Sequence, residues 1–307
     1  QVLDIASNDG TLLNFYKPGT ITFGMDPILK KYIKNYKNIT FKINDFFSGQ
    51  KVKNKTVKKF KIITALSVFY DLENPNKFLK DVYSILSDDG IFVLEYADIA
   101  SILKYKMFDT ICHEHLEYYS SNVLKEMCEI NKLRIFDIKN NDINGASCQY
   151  YICKKNSNYK NNKKNLDRVY YKEKKMKLDK KQTYLNFFTE IKSIRKKTVN
   201  FLNNVKEKNK SIHCYGASTK GNVLLQYYKI NNKVVDFVAD RNPKKYNLYT
   251  PGTKIKIISE KQSRSLKPDY YLVLPWHFKK EILLREKMTR KQNSKFIFPL
   301  PKLKIYS

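Results

Sequence analysis

The stretch FDTICHEHLEYYS, Phe108 to Ser120, places two of the chain's four histidines and two glutamates within five residues, directly after a cysteine. An imidazole titrates close to working pH, so His113 or His115 has the right chemistry for a general base. A neighbouring carboxylate, Glu114, can orient the ring and stabilise its charged form. Cys112 beside two histidines has the composition of an activated nucleophile, and a polar cluster that merely closes a loop has it too. A zinc site is not expected. The two histidines are only two residues apart, and the five cysteines (Cys112, Cys128, Cys148, Cys153, Cys214) form no CxxC pair. An odd, scattered set of thiols points to a reducing, cytoplasmic compartment.

A second stretch has the logic of cofactor binding. VLDIASNDGTLLNFY reads as a strand, a turn of small residues and a helix. Asp4 ends the strand, Ala6 and Asn8 lie in the turn, and Gly10 allows a sharp entry to the helix. Asp26, at the end of the following apolar run in FGMDP, is spaced to accept hydrogen bonds from two ribose hydroxyls. Because the turn is not G-x-G-x-x-G, it does not cradle a pyrophosphate. An acidic residue at the end of strand one suits a cationic cofactor, S-adenosylmethionine rather than NAD. In NDFFSG, Asp45 is placed to meet an adenine amino group, with Phe46 and Phe47 as apolar surface. The candidate cofactor residues are thus Asp4, Ala6, Asn8, Gly10, Asp26 and Asp45.

The elements that would position these groups alternate. Residues 2–6, 21–25, 60–66 and 90–95 are short apolar runs, separated by helix-like segments such as NPNKFLKDVYSIL, with Phe78, Leu79, Val82 and Ile85 at helical spacing. Strand and helix in alternation imply a parallel sheet covered by helices on both faces. Further strands at 133–138 and 147–153 would complete a domain over 1–154. From Lys154 to Lys181 the apolar pattern collapses into a basic, solvated linker. A helix from Gln182 to Glu207 follows, with Leu185, Phe188, Ile191 and Ile194 as its apolar stripe, so that 155–208 reads as the connection. A second strand–loop–helix, SIHCYGASTKGNVLLQYY, opens a second α/β domain over 209–307. Its strands are expected in VVDFVAD, KIKII, DYYLVL and KFIFPLP, and a helix in FKKEILLREKM. The fold class is α/β: two doubly wound, Rossmann-like domains joined by a helical basic linker.

In YGASTKGN, small residues and a helix N-terminus favour an anion, Lys220 adds a full positive charge, and Ser218 adds a hydroxyl donor. The spacing is not that of a P-loop. LPWHF carries the only tryptophan, Trp276, and His277 after a strand. These two, with Asn144 and Ser147 of NGAS, join Ser218 and Lys220 as candidate substrate contacts.

The chain carries 59 basic and 29 acidic residues, a formal charge of +30. Nucleic acid or another polyanion is one implication. Compositional drift toward Lys and Asn on a solvated surface is the competing one, and a nucleotide diphosphate would also satisfy an anion preference. There is no stretch of 18 uncharged apolar residues, and no membrane partner is expected. The chain opens inside a strand without a methionine and reads as a fragment.

The blocks IASNDGTLL, DTICHEHLEYYS, NGASCQYYI, YGASTKGNVLLQYY, VADRNPKKYNLYTPGTKIKI and VLPWHFKKEIL follow one another in the order of the sugar C-methyltransferases, and the chain resembles that family over essentially its whole length. The resemblance implies a class I methyltransferase domain followed by a C-terminal α/β domain. It also implies S-adenosylmethionine as cofactor and a nucleotide-linked keto-deoxysugar as substrate. On this likeness Glu114 and His115 fall on the family's catalytic glutamate and histidine, and His113 takes a supporting part. Cys112 stands where the family's best-known members have tyrosine. A thiol reaches less far than a phenol and donates more weakly, and Tyr118 and Tyr119 are nearby substitutes. The family usually carries a cysteine-rich, zinc-binding N-terminal lobe ahead of these blocks, so structural zinc would belong there, and no catalytic metal is needed. Two other readings compete: an RNA or small-molecule O- or N-methyltransferase, and a non-catalytic nucleotide-sugar-binding homologue. The ordered blocks favour neither, and do not favour nucleic acid as partner.

Overall fold

The computed structural model describes all 307 residues, Gln1–Ser307. It contains two sheets. The first is built from β1 (Val2–Ile5), β2 (Thr22–Met25), β3 (Phe41–Ile43), β4 (Phe60–Leu66), β5 (Leu86–Tyr96), β6 (Leu133–Asn141) and β7 (Ser147–Lys154). The second comprises β8 (Ile212–Tyr215), β9 (Phe237–Asp240), β10 (Ile257–Ser259), β11 (Tyr270–Val273), β12 (Lys295–Phe298) and β13 (Lys304–Tyr306). The helices are α1 (Thr11–Asn14), α2 (Gly49–Lys53), α3 (Pro75–Ile85), α4 (Ile99–Tyr105), α5 (Ser121–Ile130), α6 (Lys163–Met176), α7 (Lys181–Glu207), α8 (Thr219–Tyr228), α9 (Glu260–Ser265), α10 (Lys279–Arg285) and α11 (Lys287–Lys291). None is long and apolar enough to cross a membrane.

The first sheet runs in the order β3-β2-β1-β4-β5-β7-β6. Strands β1 to β5 pair in parallel, whereas β7 is antiparallel to both β5 and β6. The second sheet runs β10-β9-β8-β11-β12-β13, parallel except for β13. Both are Rossmann-like: each reverses direction of winding beside its first strand, at β1/β4 and at β8/β11, and such switch points open ligand crevices at the strands' C-terminal ends. The antiparallel strands departed from the fully parallel expectation, and β13 was not foreseen at all.

The chain falls into two compact units. The first comprises residues 1–100 and 114–178, the second 101–113 and 179–307. The segment read as a linker is therefore distributed between them, with α6 in the first and α7 in the second. In the first unit, Phe23, Phe60, Ile63, Phe92 and Leu94 lie fully buried on the sheet, as alternating apolar strands require. Against them α3 buries Phe78, Leu79, Val82 and Ile85, the stripe read from its spacing. It starts at Asn74, whose side chain accepts the Lys77 N–H, with Pro75 in the first turn.

Two helical expectations needed correction. The basic stretch from Lys154 to Lys181 contains α6, which buries Leu166 and Val169 together with Glu173. The Glu173 carboxylate accepts the backbone N–H groups of Ser121 (2.6 Å) and Asn122 (3.0 Å), so a remote acid satisfies the first turn of α5. In α7 the buried face is Phe187, Ile191, Thr198, Leu202 and Val205. Leu185 and Phe188 instead face outward, at 46% and 49% exposure.

Candidate active site

The turn after β1 is held in an unusual backbone conformation. Ala6, Asn8 and Gly10 all have positive φ, at 56°, 48° and 75°. Asn and Gly accept this readily, whereas an L-alanine there costs about 1–2 kcal/mol. The turn is tied to β2 by three N–H donors: Ala6 and Ser7 to the Met25 carbonyl (2.9 and 3.3 Å) and Asn8 to Asp26 Oδ2 (3.0 Å). Asp26 Oδ1 accepts the Ile28 N–H at 2.8 Å. The fully buried Tyr36 closes the turn from below, donating to the Asn8 carbonyl at 2.7 Å and lying 2.8 Å from Ser7 Oγ. A Cβ on Gly10 would come within 2.9 Å of Ile39 and 3.0 Å of Tyr36, so the position has no room for a side chain.

Asp4 and Asp26 are both 5% exposed. Asp4 accepts a hydrogen bond from the Thr64 hydroxyl of the adjacent β4. Burial pushes its carboxyl up to about 7; the Thr64 hydroxyl opposes this, and the nearby Asp26 charge reinforces it. This pair is a pocket of surplus negative charge that a cationic ligand would relieve. The Ala6, Ser7 and Asn8 amides, already committed to Met25 and Asp26, are not available to a phosphate. The residues therefore fit S-adenosylmethionine, whose sulfonium and ammonium are both positive. Asp45 is more peripheral. Its carboxylate bonds Lys51 at 2.6 Å and the Phe46 N–H at 2.8 Å, and both hold it below the usual carboxylate range. Phe46 is 72% exposed, whereas Phe47 packs on Phe78 in the core.

The His-Glu-His stretch is divided by the boundary between units, which falls between His113 and Glu114. On the first-unit side, the turn Phe69–Asp71 organises it. The Tyr70 carbonyl accepts the N–H groups of Leu116 (2.9 Å) and Glu117 (3.1 Å), and the Tyr70 ring lies 4.1 Å from the His115 ring. Asp71 is raised to about 6, first by burial and then by the charge of Glu114. Tyr119 is buried among Phe69 and Tyr96, so its phenol belongs to the core. Asn144, at φ 53°, reaches Ser67 Oγ at 3.4 Å, and the buried Ser147 hydroxyl donates to the Ile143 carbonyl at 3.0 Å.

In the second unit, residues 101–113 pack against α8. Phe108 lies against Tyr227 and Tyr228, and Trp276 donates its indole N–H to Asp109 Oδ2 at 2.8 Å. Asp109 is 1% exposed, and its Oδ1 has no hydrogen-bond partner. Burial raises it to about 6, against the opposing pull of the Lys220 charge and the Trp276 bond. Burial lowers Lys220, while the Asp109 and Cys112 charges raise it. His277 is pushed down to about 4 by burial and by Lys220, and its Nδ1 has no partner. Asp109 and Trp276 are thus buried against one another, with Lys220, His277 and Cys112 half-buried nearby, and Asp109 is a residue the sequence reading passed over. Ser218 serves locally, capping α8 by accepting the Gly221 N–H at 3.1 Å.

The structure brings Asp4, Ala6, Asn8, Gly10 and Asp26 together as read, and leaves Asp45 at their edge. Thr64, Tyr36, Tyr70, Asp71 and Asp109 were missed. Only the strand register and the packing of short turns give them their roles, and no local pattern marks either.

A family model described as a methyltransferase domain matches residues 1–135, and one described as the C-methyltransferase C-terminal domain matches residues 142–301. The C-methyltransferase NovU of Streptomyces niveus is 27% identical over 247 residues, covering 80% of this chain and 59% of NovU. The chain thus spans about three fifths of that relative's length. Among solved structures, the plantazolicin methyltransferase BamL, in complex with a triazolic desmethylPZN analog and SAH, is 14% identical with a TM-score of 0.40, over 50% of this chain and 76% of that one. An S-adenosylmethionine-dependent methyltransferase from Clostridium acetobutylicum ATCC 824 is 13% identical with a TM-score of 0.40, over 50% of this chain and 82% of the other. With the C-terminal model matching more than half of its residues, the chain belongs to the family defined by the C-methyltransferase C-terminal domain.

Proposed function

We propose that the chain is the methyl-transferring part of an S-adenosylmethionine-dependent C-methyltransferase, acting on carbon beside the ketone of a nucleotide-linked keto-deoxysugar. The observation that carries the cofactor half is the buried carboxyl pair Asp4 and Asp26 at the β1 turn. When bound, S-adenosylmethionine supplies an electrophilic methyl group on a positively charged sulfur. Asp26, fixed by the Asn8 and Ile28 amides, keeps lone pairs for ribose hydroxyls. Asp4 supplies charge opposite a cation, and the crowded Gly10 keeps the turn against Tyr36.

The substrate half rests on the likeness to sugar C-methyltransferases and on how the His-Glu-His stretch is held. His115 takes the proton from the carbon next to the carbonyl, leaving an enolate that attacks the methyl group; the proton stays on the imidazole. Tyr70 sets the ring plane, at 4.1 Å between centroids. Glu114 stabilises the imidazolium, and its charge, after burial, helps raise the neighbouring Asp71 carboxyl to about 6. Lys220 and Ser218, with Trp276, His277, Asn144 and Ser147, are the proposed substrate contacts, and Cys112 takes the place of the family's phenol.

The test is exchange of the substrate's α-proton in deuterated water, using a dTDP- or UDP-linked 4-keto-6-deoxyhexose with S-adenosylhomocysteine present. His115→Gln is expected to slow exchange about 10²- to 10⁴-fold, the usual contribution of a positioned base. Exchange at the wild-type rate in that variant would remove His115 from the role.

A further inference from the structure

Glu95, one residue before the end of β5, is a buried acid with only one of its two oxygens engaged. It is 6% exposed. Asn141 and Gln149 both donate their side-chain N–H groups to Oε2, at 2.8 and 2.9 Å. Neither amide is free to turn round. The Asn141 oxygen accepts the Ile143 N–H at 3.0 Å, and the Gln149 oxygen accepts the Tyr151 hydroxyl. The carboxylate is therefore locked in place, yet Oε1 accepts no hydrogen bond from the protein. A buried acceptor in that state is costly until a donor reaches it.

Strand register ties this acid to the cofactor turn. Asp4 pairs with Thr64 and Thr64 with Val93; two residues on, Leu66 pairs with Glu95 and Glu95 with Gln149. Paired residues share a sheet face, and so do residues two apart. Glu95 thus projects from the same face as Asp4, two strand spacings away, or about 10 Å across the sheet, and nearer its C-terminal edge. The backbone beside it is strained. Ser67 donates its N–H to the Glu95 carbonyl at 2.8 Å with φ at 57°, and Asn144, which reaches Ser67 Oγ, has φ 53°. Two adjoining non-glycine residues in the left-handed region are the kind of strain that collects at ligand sites. The place is also open. Leu66, Ser67, Asn141, Asn144 and Gln149 around Glu95 are half-buried, whereas Ala65 and Leu94, one residue further in, are fully buried.

We propose that Glu95 selects the methyl acceptor by one of its hydroxyls, with Oε1 accepting the hydroxyl's hydrogen while Asn141 and Gln149 hold the carboxylate in aim. This rests on the methyl-transfer reading and adds to it a residue that discriminates between substrates. β4 separates Glu95 from the cofactor carboxyl on β1, so this acid serves the acceptor rather than the cofactor. Discrimination follows from burial. An acceptor with the hydroxyl supplies the missing donor, whereas one without it leaves the oxygen unpaired in a desolvated setting.

The experiment measures kcat/KM for α-proton exchange by the whole chain, with S-adenosylhomocysteine present. The substrates are a dTDP-linked 4-keto-6-deoxyhexose and its 2-deoxy and 3-deoxy counterparts. The wild type is expected to favour the parent over one of the two deoxy forms by about tenfold or more, the worth of a hydrogen bond to a charged group. Glu95→Met, of similar length but with no oxygen acceptor, should abolish that preference and leave affinity for S-adenosylhomocysteine unchanged. In Glu95→Gln, Asn141 and Gln149 retain their oxygen acceptor and the charge is lost, so the preference should fall severalfold. A substitution that merely loosened the fold would slow all three substrates alike and leave their ratio intact. Equal exchange of the three by the wild type would overturn the proposal while leaving the methyl-transfer reading in place, and it depends on no variant folding. A preference that survives in either folded variant, or a loss of S-adenosylhomocysteine binding there, would overturn it as well. Exchange of none of the three by the wild type counts against the methyl-transfer reading itself, and this inference falls with it.

Discussion

Trp276 donates its indole N–H to Asp109 across 167 residues of sequence, at 2.8 Å and in a fully buried setting. Asp109 lies three residues before Cys112, so this bond fixes the chain as it enters the His-Glu-His stretch. Its other oxygen has no partner, which makes the indole its one hydrogen-bond donor from a side chain. Trp276→Phe keeps most of the apolar volume but leaves the carboxyl unsatisfied. It is expected to destabilise the protein by about 1–3 kcal/mol. Asp109 titrates near 6, so the loss should be larger at pH 8 than at pH 5. Thermal unfolding of the variant at both pH values checks this.

Asp4 links stability to cofactor binding. Its carboxyl rises from 3.8 to about 7 on folding, chiefly through burial. A raised carboxyl stabilises the fold fully below the unfolded value and loses that contribution as pH climbs through the folded one. Asp4→Asn is therefore expected to match the wild type near pH 4 and exceed it at pH 8, by up to about 4 kcal/mol. The same variant should bind S-adenosylmethionine more weakly. In the wild type, affinity for that cation should increase as pH rises through about 7, with proton release on binding below it. Urea unfolding and calorimetry in buffers of different ionisation heat measure both.

Gly216 is held at positive φ against Pro275. Gly216→Ala is expected to destabilise the second unit by about 1–3 kcal/mol, the usual range for a side chain forced into that region. S-adenosylhomocysteine affinity should stay unchanged. Chemical denaturation followed by the single tryptophan, which lies in this unit, reports the first effect, and calorimetry the second.

Tyr70 acts through the His115 ring and the loop amides. Tyr70→Ala is expected to lower kcat by about tenfold or more, as misplacement of a base does, with little change in cofactor affinity. Tyr70→Phe should restore most of the rate. Asp71→Asn removes a negative neighbour of Glu114 and should shift the acid limb of the rate profile to lower pH.

Much of this arrangement was legible in the sequence. The strands of both sheets follow apolar runs, and Asp26 lies 18 residues after Asn8, close to the spacing of a ribose reader. α6 was hidden because its buried face has only two apolar residues, the third buried position being a glutamate that caps another helix. The stripe of α7 was misplaced because Leu185 and Phe188 share helical spacing with Ile191, and only tertiary packing selects Phe187 instead. Asp71 and Asp109 gain their roles from partners on other elements, through contacts that spacing along one segment does not encode.

The most direct test of the central claim is calorimetric titration of S-adenosylhomocysteine into the wild-type chain and into Asp26→Ala and Asp26→Asn, each checked for folding by its melting curve. The expected result is one saturable site per chain, weakened about tenfold or more in both variants, since each loses charged acceptors for the ribose. A well-folded wild type that binds nothing, or variants that bind as tightly as the wild type, would contradict the assignment of the β1 turn as the cofactor site.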